Sequence, residues 1–375
     1  MKKTTCFGAA IATMTALATP ATAQDLPDTM IWTAYDVGSA GYAEASAIAD
    51  AFGRQFGTRV RIQPSGSGIG RLQPLLQGQA DYAFLATEAF FMAEGAYDFA
   101  IPEWGPHALR AVAGRPAGIT LIAAGDAGID TVEDARGKRI AFVAGNPSVN
   151  VKCEAILAFG GLTLEDVNVI TFPTYASAMA SMTRNESDAT CTTPTTSQLY
   201  ELAESPRGIY YVPLEADNAA GWEQLLEVLP IMGPSDEDIA AGLPEGEIAK
   251  MAAYRYPVIT TTPDKTDDEV YAFIKALDET YDMYKDGTAT MVRWSLDLSG
   301  KPAIDVPFHD GAIRYLTEKG IWTEEDGAWN ARAIARMDAL VAAWAEFHPQ
   351  HADLPEQEFA SAWMARRAEV VASLN

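Results

Sequence analysis

The feature that most constrains the fold is an internal repeat of one strand, loop and helix unit. Residues 30–34 have the apolar composition of a strand, and the small residues 37–41 follow as a loop. Apolar residues at helical spacing then predict a helix that starts near Tyr42. The same order returns about 110 residues later, with a strand at residues 139–143 and a loop at 144–148. Strands that alternate with helices in this way form parallel sheets.

Each copy of the repeat extends into a larger α/β unit. In the first copy, strands are predicted at residues 59–63 and 82–86, with a glycine- and serine-rich loop at 64–68. The second copy has matching strands at residues 167–172 and 189–192. A chain of this length also exceeds what one hydrophobic core usually holds. We therefore predict the α/β fold class, with two lobes.

Two extended segments connect the predicted lobes, which is what a hinge around a ligand cleft requires. The first segment is residues 111–124, and the return segment is residues 252–261. From Asp267 onward the pattern is mainly helical and forms a C-terminal segment. The predicted boundaries follow in this order: lobe 1 at residues 24–116 and 256–375, and lobe 2 at residues 117–255.

The first 23 residues have the pattern of a signal peptide. Lys2 and Lys3 precede a short apolar stretch, and Ala21-Thr22-Ala23 fits an A-x-A cleavage site. The predicted location of the mature protein is therefore the periplasm. The whole chain carries a net charge of −24, and loss of the two lysines makes it −26. Such a charge excludes nucleic acid as a partner, because a protein that binds the phosphate backbone needs a basic surface.

Polar residues cluster where the predicted strands end and helices begin. At such positions of a parallel sheet, helix N-termini offer free N–H groups and partial positive charge to an anion. The alternative is that these residues only cap helices. Because they recur at equivalent loops of both lobes, we predict a ligand site built from Ser39, Gly41, Tyr42, Ser65, Ser67, Gly68, Thr87, Asn146, Ser148, Asn150, Tyr175, Thr192 and Thr193.

Two cysteines, Cys153 and Cys191, remain after removal of the leader. In an oxidising compartment an even pair indicates either a disulfide or two small buried side chains. We predict the disulfide, because Cys153 falls in the first helix of lobe 2 and Cys191 at the end of its third strand. The sequence contains no nucleophile elbow, no P-loop and no histidine spacing typical of a metal site. We therefore predict no catalytic residues, no cofactor and no metal.

Several segments resemble the TAXI-type solute receptors of TRAP transporters. The resemblance runs from residues 33–42 through Ser65-Gly66-Ser67-Gly68 and residues 78–81 to Asn146-Pro147-Ser148. Its most specific part is residues 306–315, which are similar to a segment with proline, histidine, glycine-alanine and tyrosine near the C-terminus of that family. The matches occur in the order in which the family has them.

This resemblance implies a type II periplasmic-binding fold and capture of a small organic acid anion, glutamate-like or another carboxylate. It also implies DctQM-type membrane subunits as partners, with uptake driven by an ion gradient. His309 is expected to start a helix and pack structurally. Arg71 departs from the family pattern. It either pairs a second carboxylate or, as we expect, is a solvated helix residue.

Two alternatives differ from this interpretation. An ABC-type periplasmic binding protein has the same fold, and neighbouring transporter genes would distinguish it from a TRAP receptor. An enzyme on the two-lobed scaffold is the third possibility, because one fold hosts unrelated functions. Turnover of a bound compound would identify it.

Overall fold

A computed structural model describes Met1, residues 26–302 and residues 305–374. The predicted signal peptide, apart from Met1, lies outside the described residues. Within those ranges, no helix combines the length and the hydropathy that a membrane crossing needs.

Lobe 1 begins with parallel strands whose apolar side chains are buried beneath helices. Ser39 caps the first helix by accepting the N–H of Tyr42, and Gly57 ends it with a φ of 74°, a conformation that favours glycine. The elements in chain order are β1 (Thr29–Ala34), α1 (Ala40–Phe56), β2 (Arg59–Pro64), α2 (Gly68–Leu76), β3 (Tyr82–Leu85), α3 (Glu88–Glu94) and β4 (Arg110–Ala124).

Lobe 2 repeats the arrangement around its own parallel strands. The helix after its first strand starts with Asn146 as the cap and Pro147 at the first helical position, where a missing N–H costs nothing. The elements are β5 (Arg139–Val143), α4 (Pro147–Phe159), β6 (Asn168–Phe172), α5 (Tyr175–Ser181), β7 (Ala189–Thr192), α6 (Ser197–Glu204), β8 (Ile209–Tyr211), α7 (Ala219–Val228), β9 (Gly233–Glu237) and β10 (Ala249–Thr261).

The two long strands β4 and β10 join the lobes. They pair antiparallel along most of their length, with Ala252 opposite Ile119 and Thr261 opposite Arg110. In lobe 1, β10 also pairs with β3, and in lobe 2, β4 pairs with β7. The strand order is therefore β2-β1-β3-β10-β4-β7-β5-β6. This arrangement confirms the predicted α/β fold of the type II periplasmic-binding class. Both connections between the lobes are β-strands, β4 and β10. The exact lobe boundaries stay a prediction.

The chain after β10 is helical and packs on lobe 1. Its last two helices form an antiparallel hairpin with a small core of its own around Phe359 and Trp363. Glu94 of α3 anchors the hairpin because its carboxylate binds both Arg336 and Arg367. The elements are α8 (Asp267–Glu279), α9 (Tyr281–Tyr284), α10 (Leu296–Ser299), α11 (Asp310–Glu318), α12 (Glu324–His351) and α13 (Glu356–Ser373).

His309 occupies the start of α11, as expected. Its Nδ1 accepts the backbone N–H of Gly311 at 3.1 Å, and its Nε2 lies 2.9 Å from the carbonyl oxygen of Lys265. The side chain is buried, and its pKa is lowered chiefly by that burial. His309 therefore holds α11 against the start of α8.

Candidate functional site

A narrow cleft lies between the lobes, next to the crossing strands. Lobe 1 contributes the ends of β1 and β3, and lobe 2 contributes the starts of α4 and α5. The enclosed space is about 40 Å³, room for roughly three water molecules, so a larger ligand needs the lobes to separate. The cleft is lined by Tyr35, Asp36, Ser39, Gly66, Ala86, Ile119, Asn146, Ser148, Val149, Lys152, Tyr175, Thr192, Thr193, Tyr254 and Tyr256.

Lys152 is the only basic side chain among these lining residues. It projects from the first turns of α4, and its Nζ donates to Ser148 Oγ at 3.0 Å in the same helix. A second bond from Nζ crosses to lobe 1 and reaches Thr87 Oγ1 at 3.2 Å. The same Nζ lies 4.4 Å from the centre of the Tyr254 ring. Burial lowers the pKa of Lys152 to about 8, although the nearby charges of Glu88 and Asp305 act in the opposite direction.

Two acidic groups near Lys152 have pKa values that are shifted in opposite directions. Glu88 accepts from Arg71 at 2.7 Å and from the Tyr35 hydroxyl at 2.7 Å, and these contacts outweigh its burial and lower its pKa. Asp305 is also buried, but its Oδ2 has no hydrogen-bond partner among the described residues. Burial raises the pKa of Asp305 to about 7, against the opposing charge of Lys152.

The expectation that Arg71 is solvated is wrong. Its side chain is fully buried, and its guanidinium donates to Glu88 Oε1 and to the Ser65 carbonyl oxygen. It also lies 3.8 Å from the centre of the Tyr35 ring. A buried guanidinium needs such a partner, because an unpaired charge inside the protein is very costly.

Three tyrosine rings form a continuous wall of the cleft. The Tyr35 and Tyr256 rings meet edge to face with centroids 5.1 Å apart, and Tyr254 and Tyr256 are nearly parallel at 6.1 Å. Burial raises the pKa of all three hydroxyls, so these groups stay protonated at neutral pH and can donate hydrogen bonds. A fourth ring, Tyr175, has its hydroxyl bound to Thr192 and Thr196.

Six of the predicted site residues line this cleft. Five come from lobe 2 and one from lobe 1: Asn146, Ser148, Tyr175, Thr192 and Thr193, with Ser39. The other predicted residues do not line the enclosed space: Gly41, Tyr42, Ser65, Ser67, Gly68, Thr87 and Asn150. A ligand-binding role for any of the thirteen stays a prediction.

Several of the predicted residues make local hydrogen bonds within the protein instead of lining the cleft. Ser67 accepts the N–H of Gly70 as a helix cap. The N–H of Gly41, expected to bind an anion, donates to the Tyr256 hydroxyl at 3.1 Å. Asn150 bonds both the N–H and the carbonyl oxygen of Val143, which fixes the start of α4 to the end of β5.

The sequence reasoning missed Lys152, Tyr254 and Tyr256. A signal for Lys152 was present, since it is the single basic residue of α4 and lies one turn after Ser148 on the same helix face. Tyr254 and Tyr256 were recognised as part of a crossing strand. Arg255 stands between them, so both tyrosines lie on one face of the strand. This pattern could have indicated that they line the cleft together.

Cys153 and Cys191 are joined by a disulfide, with their α-carbons 5.2 Å apart. The bond connects α4 to β7, and Cys153 directly follows Lys152. Both cysteines are buried in the core of lobe 2. The bond therefore ties the helix that carries Lys152 to the sheet beneath it.

Solved structures with a similar fold include several solute-binding proteins. The aliphatic sulphonate binding protein SsuA from Escherichia coli has 15% identity and a TM-score of 0.43, over 72% of this chain and 79% of that one. An ABC transporter periplasmic binding protein from Brucella ovis, with glutathione bound, has 14% identity and a TM-score of 0.42, over 68% and 69%. AbpA from Streptococcus pneumoniae, bound to L-arginine, has 12% identity and a TM-score of 0.40, over 71% and 96%.

At these identities the likeness concerns the fold alone. No curated protein sequence matches the chain at a significant level. The sequence pattern of one family does match, over residues 33–320, which include both lobes, both crossing strands and every residue that lines the cleft. The chain belongs to the NMT1-like family.

Proposed function

We propose that this protein is an extracytoplasmic solute receptor that binds a small organic anion between its lobes. The observation that carries the proposal is the position of Lys152, the single basic side chain of a cleft that both lobes line. Its Nζ is buried and lacks a carboxylate at ion-pair distance among the described residues. A buried charge of this kind gains most from an anionic ligand.

The groups around Lys152 also favour the binding of an anion. The helices α4 and α5 both start at the cleft, and a helix N-terminus attracts negative charge. Asp36 is the one acidic lining residue, and it is exposed to solvent, where water screens its repulsion. A small carboxylate or sulfonate therefore fits the cleft better than a cationic amino acid.

The membrane partner that we propose is an ABC-type transporter. Two of the solved structures described above are receptors of that type, and SsuA binds aliphatic sulphonates. A TRAP transporter with DctQM-type subunits is the second candidate, favoured by the resemblance of residues 306–315 to TAXI receptors. The matching sequence pattern is that of the broader NMT1-like family, so the TAXI assignment stays a prediction.

A thermal-shift screen of the mature protein against organic acids, sulfonates and amino acids tests the proposed function, because ligands of the native state raise the melting temperature. We expect anions to raise it and the Lys152→Met variant to lose that response. A screen in which only cations stabilise the protein would contradict the proposal.

Transport assays in proteoliposomes then separate the two candidate partners. Uptake that requires ATP inside the liposome identifies an ABC transporter. Uptake that an imposed ion gradient drives without ATP identifies a TRAP transporter. Cell fractionation of the full chain tests the proposed periplasmic location.

A further inference from the structure

We infer that the cleft selects a singly charged anion with a flat conjugated body, such as an aromatic carboxylate. The inference rests on the proposed receptor function and narrows its ligand class. It combines the charge balance around Lys152, the arginines next to two of the tyrosine rings and the hydrogen-bond donors that remain unused.

The charge balance sets the ligand's charge at one. Two buried arginines stand close to the cleft, but each is already paired, Arg71 with Glu88 and Arg115 with Glu44 at 2.5 Å. Lys152 has no such partner within 4 Å among the described residues. Asp305 also lies close to Lys152, and its pKa of about 7 leaves it mostly protonated at lower pH. In that state one positive charge remains for the ligand, and a second negative charge on the ligand would stay unpaired in a buried site.

The tyrosine wall favours a flat π system. The Arg71 guanidinium lies 3.8 Å from the centre of the Tyr35 ring, and Arg115 lies 5.8 Å from that of Tyr256. Neither arginine lines the cleft itself. A cation next to a ring is attracted by its π electrons, which are then less available to a second cation. The Tyr35 and Tyr256 rings, each already next to an arginine, therefore favour the electron-rich ring of an aromatic carboxylate over a further guanidinium or ammonium group.

Unused donors provide a place for the carboxylate. Lys152 Nζ uses two of its three hydrogens on Ser148 and Thr87. The Tyr254 hydroxyl makes no hydrogen bond with any described residue, although its side chain is 94% buried and lines the cleft. The Tyr256 hydroxyl accepts from Gly41 and keeps its own proton. These donors lack an acceptor among the described residues, which a carboxylate supplies.

The shape of the cleft also favours a flat ligand. The space between the lobes is only about 40 Å³, so a ligand larger than a few water molecules requires them to move apart. A flat molecule requires the smallest separation for a given apolar area. Ile119, Val149 and Ala86 complete an apolar lining around the rings, which suits a hydrocarbon body better than a hydroxylated one.

The test compares benzoate with cyclohexanecarboxylate by titration calorimetry, since the two share one charge and a six-membered ring but differ in flatness. We expect benzoate to bind about tenfold more tightly, the size of a favourable ring–ring contact. Benzamidine, a flat cation, should show no saturable binding. Equal or tighter binding of cyclohexanecarboxylate would overturn the inference and leave the receptor function intact. If no organic anion of any shape binds, both the inference and the receptor function are wrong.

Two substitutions at one position separate the hydroxyl from the ring. Tyr254→Phe keeps the ring, so we expect weaker binding of both acids with the preference for benzoate unchanged. Tyr254→Leu removes the ring and should reduce that preference severalfold. Tyr210→Leu on the exposed face of β8 is the matched control and should change neither affinity. A Tyr254→Leu variant that melts normally and keeps the full preference would also overturn the inference.

Discussion

Nζ of Lys152 in lobe 2 lies 3.2 Å from Oγ1 of Thr87 in lobe 1. The cation of the proposed binding site therefore also makes a hydrogen bond that connects the two lobes. Capture of a ligand and closure of the cleft therefore share one group. Thr87 stands at the start of α3, and its hydroxyl does not cap that helix. The hydroxyl is thus free to accept the bond from Lys152.

Replacement of Lys152 by methionine should weaken binding of an organic anion about ten- to a hundredfold, because it removes a charged hydrogen bond from a buried site. The free energy of unfolding should not fall, since an ammonium that is costly to bury is removed. Calorimetry and urea denaturation measure the two effects. Lys275→Met, on the exposed side of α8, is the control. Unchanged affinity in a folded Lys152→Met protein would rule out its role.

Replacement of Thr87 by valine should loosen the lobes without removing the positive charge. We expect affinity to fall only about two- to tenfold, the worth of one hydrogen bond. The radius of gyration of the ligand-free variant, measured by small-angle scattering, should exceed that of the wild type. At saturating ligand the two values should converge. A ligand-free radius identical to that of the wild type would show that this bond does not hold the cleft closed.

Anion binding should weaken as the pH rises through about 7 and again through about 8. In the first step Asp305, whose pKa is raised to about 7, gains a negative charge close to Lys152. In the second step Lys152 itself, with its pKa lowered to about 8, loses its proton. Glu88 and Arg71 also face Lys152, but they keep their charges across this range because each holds the other in its ionised form.

Two variants identify which side chain causes each of these pH-dependent steps in affinity. Asp305→Asn should abolish the step near pH 7 and preserve the one near pH 8, whereas Lys152→Met should abolish the step near pH 8. Calorimetric affinities between pH 6 and pH 9 provide the measurement. A profile that is flat over this range in the wild-type protein would contradict both assignments.

The bond between Cys153 and Cys191 should stabilise lobe 2 by about 4 kcal/mol, because it closes a loop of 38 residues in the unfolded chain. Urea denaturation with and without dithiothreitol measures this difference. The double variant Cys153→Ser with Cys191→Ser should be insensitive to the reductant. Equal stability of the oxidised and reduced wild-type protein would contradict the expectation.

Much of the fold was predictable because local patterns determine it. The strand at residues 139–143 is a short, mostly apolar run, and residues 189–192 alternate small side chains with threonines; the structure has both strands with the same bounds. The environment of Arg71 was not predictable, because its partner Glu88 is brought to it by packing of α3. The contact of Lys152 with Thr87 was not predictable either, since Thr87 lies 65 residues away and on the other lobe.

The position of β10 in the sheet has a consequence for the order in which the chain folds. This strand lies between β3 and β4, although residues 249–261 are made long after both. Until β10 has emerged, β3 and β4 expose hydrogen-bonding edges that have no neighbour. Lobe 2, in contrast, has its parallel strands complete by residue 192. During synthesis, the sheet of lobe 1 therefore cannot close until residue 261 has been made, long after the parallel strands of lobe 2.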